Sequence, residues 1–337
     1  MFFRQPKGGK MDKYKNFPHA PPLEVINLLN IRSHIILPVM LVISTIANIL
    51  CLHIVNRKKI KKNSISIHLQ YLVAVDLTTN LFYTPQLFYE EGCIQTNLVW
   101  AWYKAHLGSA MIYYLRSLTM HLLSSLTADR LMGVACNRIY QKSIRYTKTK
   151  LFIIWAYVTA MCLPGLYFGT ILKLNEGWLV KSMRNITDNP GLEIYKSILT
   201  IIMIIIPSII LITMSVILTI KIYQINKLSR KNHRYRRNAC AVLVLNATFI
   251  IIISLHMSIK IIKRQDEHYC YSSIYQEAWL LGTEIMSLTW SVVNVLVFLV
   301  ICREYKHQVM ISMSNWNLHH RHRPETVQLR KVTHFTI

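Results

Sequence analysis

From its amino terminus the chain alternates long apolar runs with short polar, basic stretches. A helix needs roughly 20 apolar residues, at ~1.5 Å rise each, to cross a hydrocarbon core. Seven runs meet that length: Ser33–Val55, Leu69–Tyr89, Tyr103–Leu131, Leu151–Leu172, Ser197–Tyr223, Ala239–Ile262 and Ala278–Ile301. Each is expected to be helical, because lipid offers no partner to a bare backbone amide. The Ile and Val content would favour strands in water, but length and surroundings override that preference. A polar tail with Lys7, Lys10, Lys13 and Lys15 precedes the first run and lacks the pattern of a cleavable signal. The first run is expected to act as the signal anchor.

Composition sharpens this picture. The 337 residues carry a net charge of +24, which alone would point to nucleic acid, yet 53% are hydrophobic and 16% charged. The charge is therefore segregated into loops, and a nucleic-acid partner is not expected. Loops after runs one, three and five hold Arg57, Lys58, Lys59, Lys61 and Lys62; Arg138, Lys142, Arg145, Lys148 and Lys150; and Lys221, Lys227, Arg230, Lys231, Arg234, Arg236 and Arg237, with no acid among them. The opposite loops mix bases with Glu90, Glu91, Glu176, Asp188, Glu193, Asp266, Glu267 and Glu277. By the positive-inside rule the basic loops are cytosolic and the amino terminus is outside. The sequon Asn185-Ile186-Thr187 falls on the expected outside, so Asn185 is a glycosylation candidate. The basic loops also suit an anionic inner leaflet.

Charges inside the runs are few: Asp76, Arg116 and Glu284, with Lys260 and His256 toward the outer end of run six. Such groups normally face a bundle interior or a cavity. The stretch LTADRLMGVAC places Asp129 and Arg130 side by side at the inner end of run three. Catalysis is not indicated: there is no nucleophile–base set, no His-Glu-x-x-His, no phosphate-binding glycine loop, and the cysteines are scattered. No enzyme activity and no metal ligand set are expected. Arg130 meeting lipid headgroups is one reading; part of a switch is another.

The order of features decides between them. Asn48 in TIANIL, Asp76 in LVAVDL, Asp129-Arg130, Trp155, Pro207 and Asn294 in SVVNVLVF follow one another in runs one to five and seven. This order resembles the rhodopsin-like (class A) G-protein-coupled receptors, over roughly residues 33–313. The resemblance implies an all-α membrane protein: a seven-transmembrane helix bundle at 33–301, an extracellular tail at 1–32, a short amphipathic eighth helix at 302–313 and a basic cytoplasmic tail at 314–337. It implies that Arg130 contacts a heterotrimeric G protein when the sixth helix swings out, that Asp129 tunes its pairing, and that Ile139, Tyr140, Asn294 and Phe298 serve coupling and activation. Asn48, Asp76, Thr119, Ser291 and Asn294 match the family's polar core, which takes a sodium ion; no other cofactor is implied. Pro85 matches a family kink.

The chain also departs from that family. Asn-Pro-x-x-Tyr reads Asn294-Val295-Leu296-Val297-Phe298, Trp-x-Pro of run six reads Ile253-Ser254-Leu255, and the inward tyrosine of run five is Ser215. The span-three cysteine is absent, with Ala105 near its place, and so is its loop partner. Cys93 and Cys270 are either a substitute bridge or two free thiols.

The amine-binding aspartate of the family corresponds to Ile112, which disfavours a monoamine ligand, and EIMSLTWSVVN lacks a retinal lysine. Arg116 lies about 21 Å outward of Arg130 on a similar face, and Glu284 about 15 Å outward of Asn294. They form an internal ion pair or meet a polar ligand. Gln86, His256 and Lys260 match other pocket positions. The expected ligand is a peptide or small charged molecule, as for invertebrate FMRFamide-like receptors, and the expected place is the plasma membrane. The alternatives are a receptor-fold decoy or heteromer partner without G-protein signalling, and a transporter, although internal repeats and broken spans are not evident.

Overall fold

The computed structural model describes residues 31, 35–56, 64–85, 94–95, 97–136, 140–141, 144–167, 169–174, 177–182, 190–228 and 233–265, with 282, 285–286, 288–290, 292–294 and 296–297 near the end of the chain. The helices are α1 (Leu37–Val55), α2 (Ser64–Tyr83), α3 (Leu98–Trp102), α4 (Ser109–Ala135), α5 (Thr147–Cys162), α6 (Pro190–Thr200), α7 (Ile206–Leu228) and α8 (His233–Gln265). A small sheet of β1 (Ile94–Gln95), β3 (Gly177–Ser182) and β2 (Gly169–Leu174), antiparallel in that spatial order, is the one exception to helix among these elements. Ile94 pairs with Leu179, and Ile171 with Val180.

Helix limits follow local chemistry. A proline opens α1, where its missing N–H costs nothing. Asn97 caps α3 by accepting from the Val99 amide at 2.8 Å. Pro85 stands in the 3-10 turn that directly follows α2. The fourth expected span is shorter than its apolar run. At Pro164 and Gly165 the chain tightens into a 3-10 turn (Leu163–Tyr167), and Gly169–Leu174 is a strand. Pro207 has the opposite setting: α6, a π-helical turn (Ile201–Ile205) and α7 run on without a break, the turn absorbing the proline. Sixth-run residues lack proline altogether, and α8 continues past both ends of that run.

Cross-helix pairs fix the direction of each helix. Asn80 of α2 donates to Ser44 at 2.9 Å and Thr45 at 3.1 Å, setting α1 against α2. Ser64 of α2 meets Asp129 of α4, while Tyr83 meets Arg116, so those two helices run oppositely. Lys150 meets Asp129 and Thr159 meets Tyr114, so α5 also opposes α4. Tyr113 reaches the Leu199 carbonyl at 3.3 Å, and Ser208 lies beside Met120. Residues 197–224 therefore run along α4 in the same sense, and α8 returns. The helix α4 is central, packed against α2, α5, α7 and α8.

Among the described residues, three helical stretches are long and apolar enough to cross a membrane: Leu37–Val55, Ser197–Gln224 and Asn238–Leu255. Their outer faces are aliphatic; Val42 and Ile209 are each 58% exposed. Polar groups sit inside instead, with Asn48, Asp76, Asn80, Thr119, Thr127, Asn246 and Asn294 all buried. Apolar faces outward and polar groups inward suit a lipid solvent, where each buried polar group must find a partner within the bundle.

Candidate functional site: the C-terminal end of α4

Asp129 and Arg130 are 1% and 4% exposed, and α4 continues beyond them to Ala135. The two neighbours have separate partners. Asp129 accepts from Ser64 Oγ at 2.6 Å on one oxygen and from Lys150 Nζ at 3.3 Å on the other. His68 Nε2 approaches the same carboxylate at 4.0 Å. His68 is itself held by the Ser64 carbonyl (2.9 Å, Nδ1) and by Ser125 Oγ (3.1 Å, Nε2). Asp129 thus ties α4 to α2 and α5.

Arg130 turns to the segment after α4. One terminal nitrogen donates to the Tyr140 hydroxyl at 2.7 Å, and its guanidinium carbon lies 5.2 Å from the ring centroid. Its Nε is buried without a hydrogen-bond partner. Tyr140 is buried, its ring lying against Gly133. The expected partner-facing Tyr140 is therefore folded inward here, covering Arg130. Ile139 and Phe298 lie outside the described residues.

Midway along the bundle, Asn294 Nδ2 donates to Asp76 Oδ2 at 3.0 Å, joining two residues that the resemblance matched to one polar core. Thr119 is buried and donates to the Leu115 carbonyl at 3.0 Å. Asn48 is wholly buried, and neither end of its amide has a hydrogen-bond partner; the Asn294 amide oxygen is likewise unpaired. The Asp76 carboxylate, bonded to an asparagine whose own amide oxygen is unpaired, offers the oxygen donors that a hard cation takes. Ser291 lies outside the described residues.

Farther along, Arg116 donates to the Tyr83 hydroxyl at 2.8 Å, bridging α4 and α2. Ile112 packs with Leu37, Leu41, Tyr83 and Leu288. Gln86, Glu284, Asn185, Cys93 and Cys270 lie outside the described residues, as do the side chains of His256 and Lys260 and all of the expected helix at 302–313.

Sequence reasoning missed Ser64, His68 and Lys150 around Asp129, Tyr83 beside Arg116, and Asn246. The available signal was an isolated polar residue in an apolar run, as in SISIHLQYL and AVLVLNATF. Compared with known proteins, the chain matches no family model and no curated sequence.

Proposed function

We propose that the chain is a rhodopsin-like receptor: a seven-span bundle in the plasma membrane, amino terminus outside, that couples an external ligand to a heterotrimeric G protein. The observation that carries this reading is the buried Arg130, held at the inner end of the central helix by a tyrosine from the segment just after it. An arginine closed off by one hydrogen bond and one ring is a group that a two-state bundle can release. Freed, it offers a planar set of donors to the carbonyls or carboxylate of a partner.

The ligand would be a peptide or small charged molecule entering near Arg116, with Ile112 disfavouring an amine. Asp76, with Asn294 and Asn48, would hold a sodium ion, which supplies positive charge beside the buried carboxylate. Asn185 would be glycosylated. The expected test compares second messengers in cells expressing wild type and Arg130→Ala. Basal or ligand-driven signal that disappears in the variant supports the receptor. Silence from both, with ion or solute flux present, sinks it.

A second reading keeps the fold without signalling, as a decoy or heteromer partner. It is favoured by Ser215, whose hydroxyl donates to its own helix at the Leu211 carbonyl, 2.7 Å away, rather than reaching toward Arg130.

A further inference from the structure

Asn246 lies in the apolar stretch AVLVLNATFI of α8 and is fully buried. Its Nδ2 donates to Thr127 Oγ1 of α4 and to Ser215 Oγ of α7, both at 2.8 Å. Each of those hydroxyls already gives its own proton to a carbonyl one turn back: Thr127 to Leu123 at 2.8 Å, Ser215 to Leu211 at 2.7 Å. Toward α8 they can only accept. The two N–H bonds of one amide match those two acceptors. A flipped amide would set its oxygen against two lone pairs, so the orientation is fixed by chemistry. The Asn246 oxygen is left buried and unpaired.

The location gives this trio a consequence. Thr127 is one helical turn from Arg130. Next to the trio, Leu218, Ile222 and Ala239 form an apolar layer with Leu131, Val134 and Leu243. The helix α8 runs from His233 to Gln265 without a proline, so it has no built-in hinge and would tilt as a rod.

We infer that Thr127, Ser215 and Asn246 form a three-helix clamp that holds the inner half of α8 against α4 and α7, and that breaking it lets α8 move away from Arg130. Parting the helices takes both acceptors away from the Asn246 N–H groups. The closed arrangement is favoured by two bonds and weakened by one orphaned oxygen. The link from this motion to signalling rests on the receptor reading; the clamp itself does not.

The test uses full-length protein in lipid nanodiscs, with nitroxide labels on encoded amino acids at positions 136 and 233, the inner ends of α4 and α8. Electron–electron distances are measured in wild type, Asn246→Leu, Thr127→Val and Ser215→Ala, and basal G-protein activation is assayed in parallel. Asn246→Leu should move the distance distribution outward, and each acceptor variant should give a smaller shift. Unchanged distributions in all three overturn the clamp, whatever the signal. If Asn246→Leu does not yield monodisperse protein, the two acceptor variants decide in the same way. An outward shift with raised basal activation supports clamp and receptor together. An outward shift with no activation in any variant keeps the clamp and sinks the receptor reading.

Discussion

Arg130 and Tyr140 form a double contact: the hydroxyl accepts from the guanidinium at 2.7 Å while the ring lies 5.2 Å from its carbon. Tyr140→Phe keeps the ring and removes the acceptor. A buried hydrogen bond to a charged group contributes about 1.5–3 kcal/mol, and Arg130 already has one nitrogen unpaired. The variant should melt several degrees lower in detergent and, if the receptor reading holds, signal more strongly without ligand. Unchanged melting would mean that the cation–ring contact alone holds the pair.

Asp129 has two partners of unequal weight. Ser64 is buried and bonded at 2.6 Å, whereas the Lys150 side chain is 35% exposed and 3.3 Å away. Removing a bond from a buried hydroxyl to a carboxylate costs about 1.5–3 kcal/mol, and a partly exposed ion pair about 0–1 kcal/mol. Ser64→Ala should therefore lower the melting temperature more than Lys150→Ala. Salt should narrow only the Lys150 effect. The reverse ranking in a thermal-shift series would refute this assignment.

What the sequence made legible follows from what lipid imposes. Length and hydropathy located α1, α7 and α8, because a bilayer fixes how much apolar chain a helix needs. They overran α5, since composition alone did not weigh the Pro164–Gly165 break that ends it. Asp76 and Asn294 were placed together by the resemblance, which matches both to one polar core, and their bond agrees with that placing. The partners of Asp129 were not readable. Ser64 and Lys150 sit in polar flanks where most residues face water, and only the packing of α2 and α5 on α4 brings them inward. Likewise, Arg116 was read as pairing with Glu284 or meeting a polar ligand, and Glu284 lies outside the described residues; the phenol of Tyr83, an ordinary aromatic of an apolar run, is a hydroxyl that Arg116 meets.

That phenol supports a third prediction. Tyr83 is 2% exposed and accepts from Arg116, so Tyr83→Phe preserves the packing with Leu37, Leu41 and Leu288 while removing one acceptor. A double-mutant cycle with Arg116→Met should give a coupling of about 0.5–1.5 kcal/mol in thermal or chemical unfolding. Additive single effects would show that the 2.8 Å bond contributes no net stability.

The last prediction concerns the buried carboxylate midway along the bundle. Asp76 and Asn294 are bonded at 3.0 Å, and the amide oxygens of Asn294 and Asn48 have no partner. A cation bound there would stabilise the folded bundle by RT ln(1 + [L]/Kd), about 2.7 kcal/mol at a hundredfold excess over Kd. Replacing sodium chloride by choline chloride at constant ionic strength should then lower the melting temperature of wild type, since choline is too large for a buried site. Asp76→Asn removes the charge that draws the cation while keeping one oxygen as acceptor, so its melting should no longer respond to the exchange. An equal response in wild type and variant would assign the salt effect to the surface, and the polar core would then be a purely structural tie between α2 and the helical segment that carries Asn294.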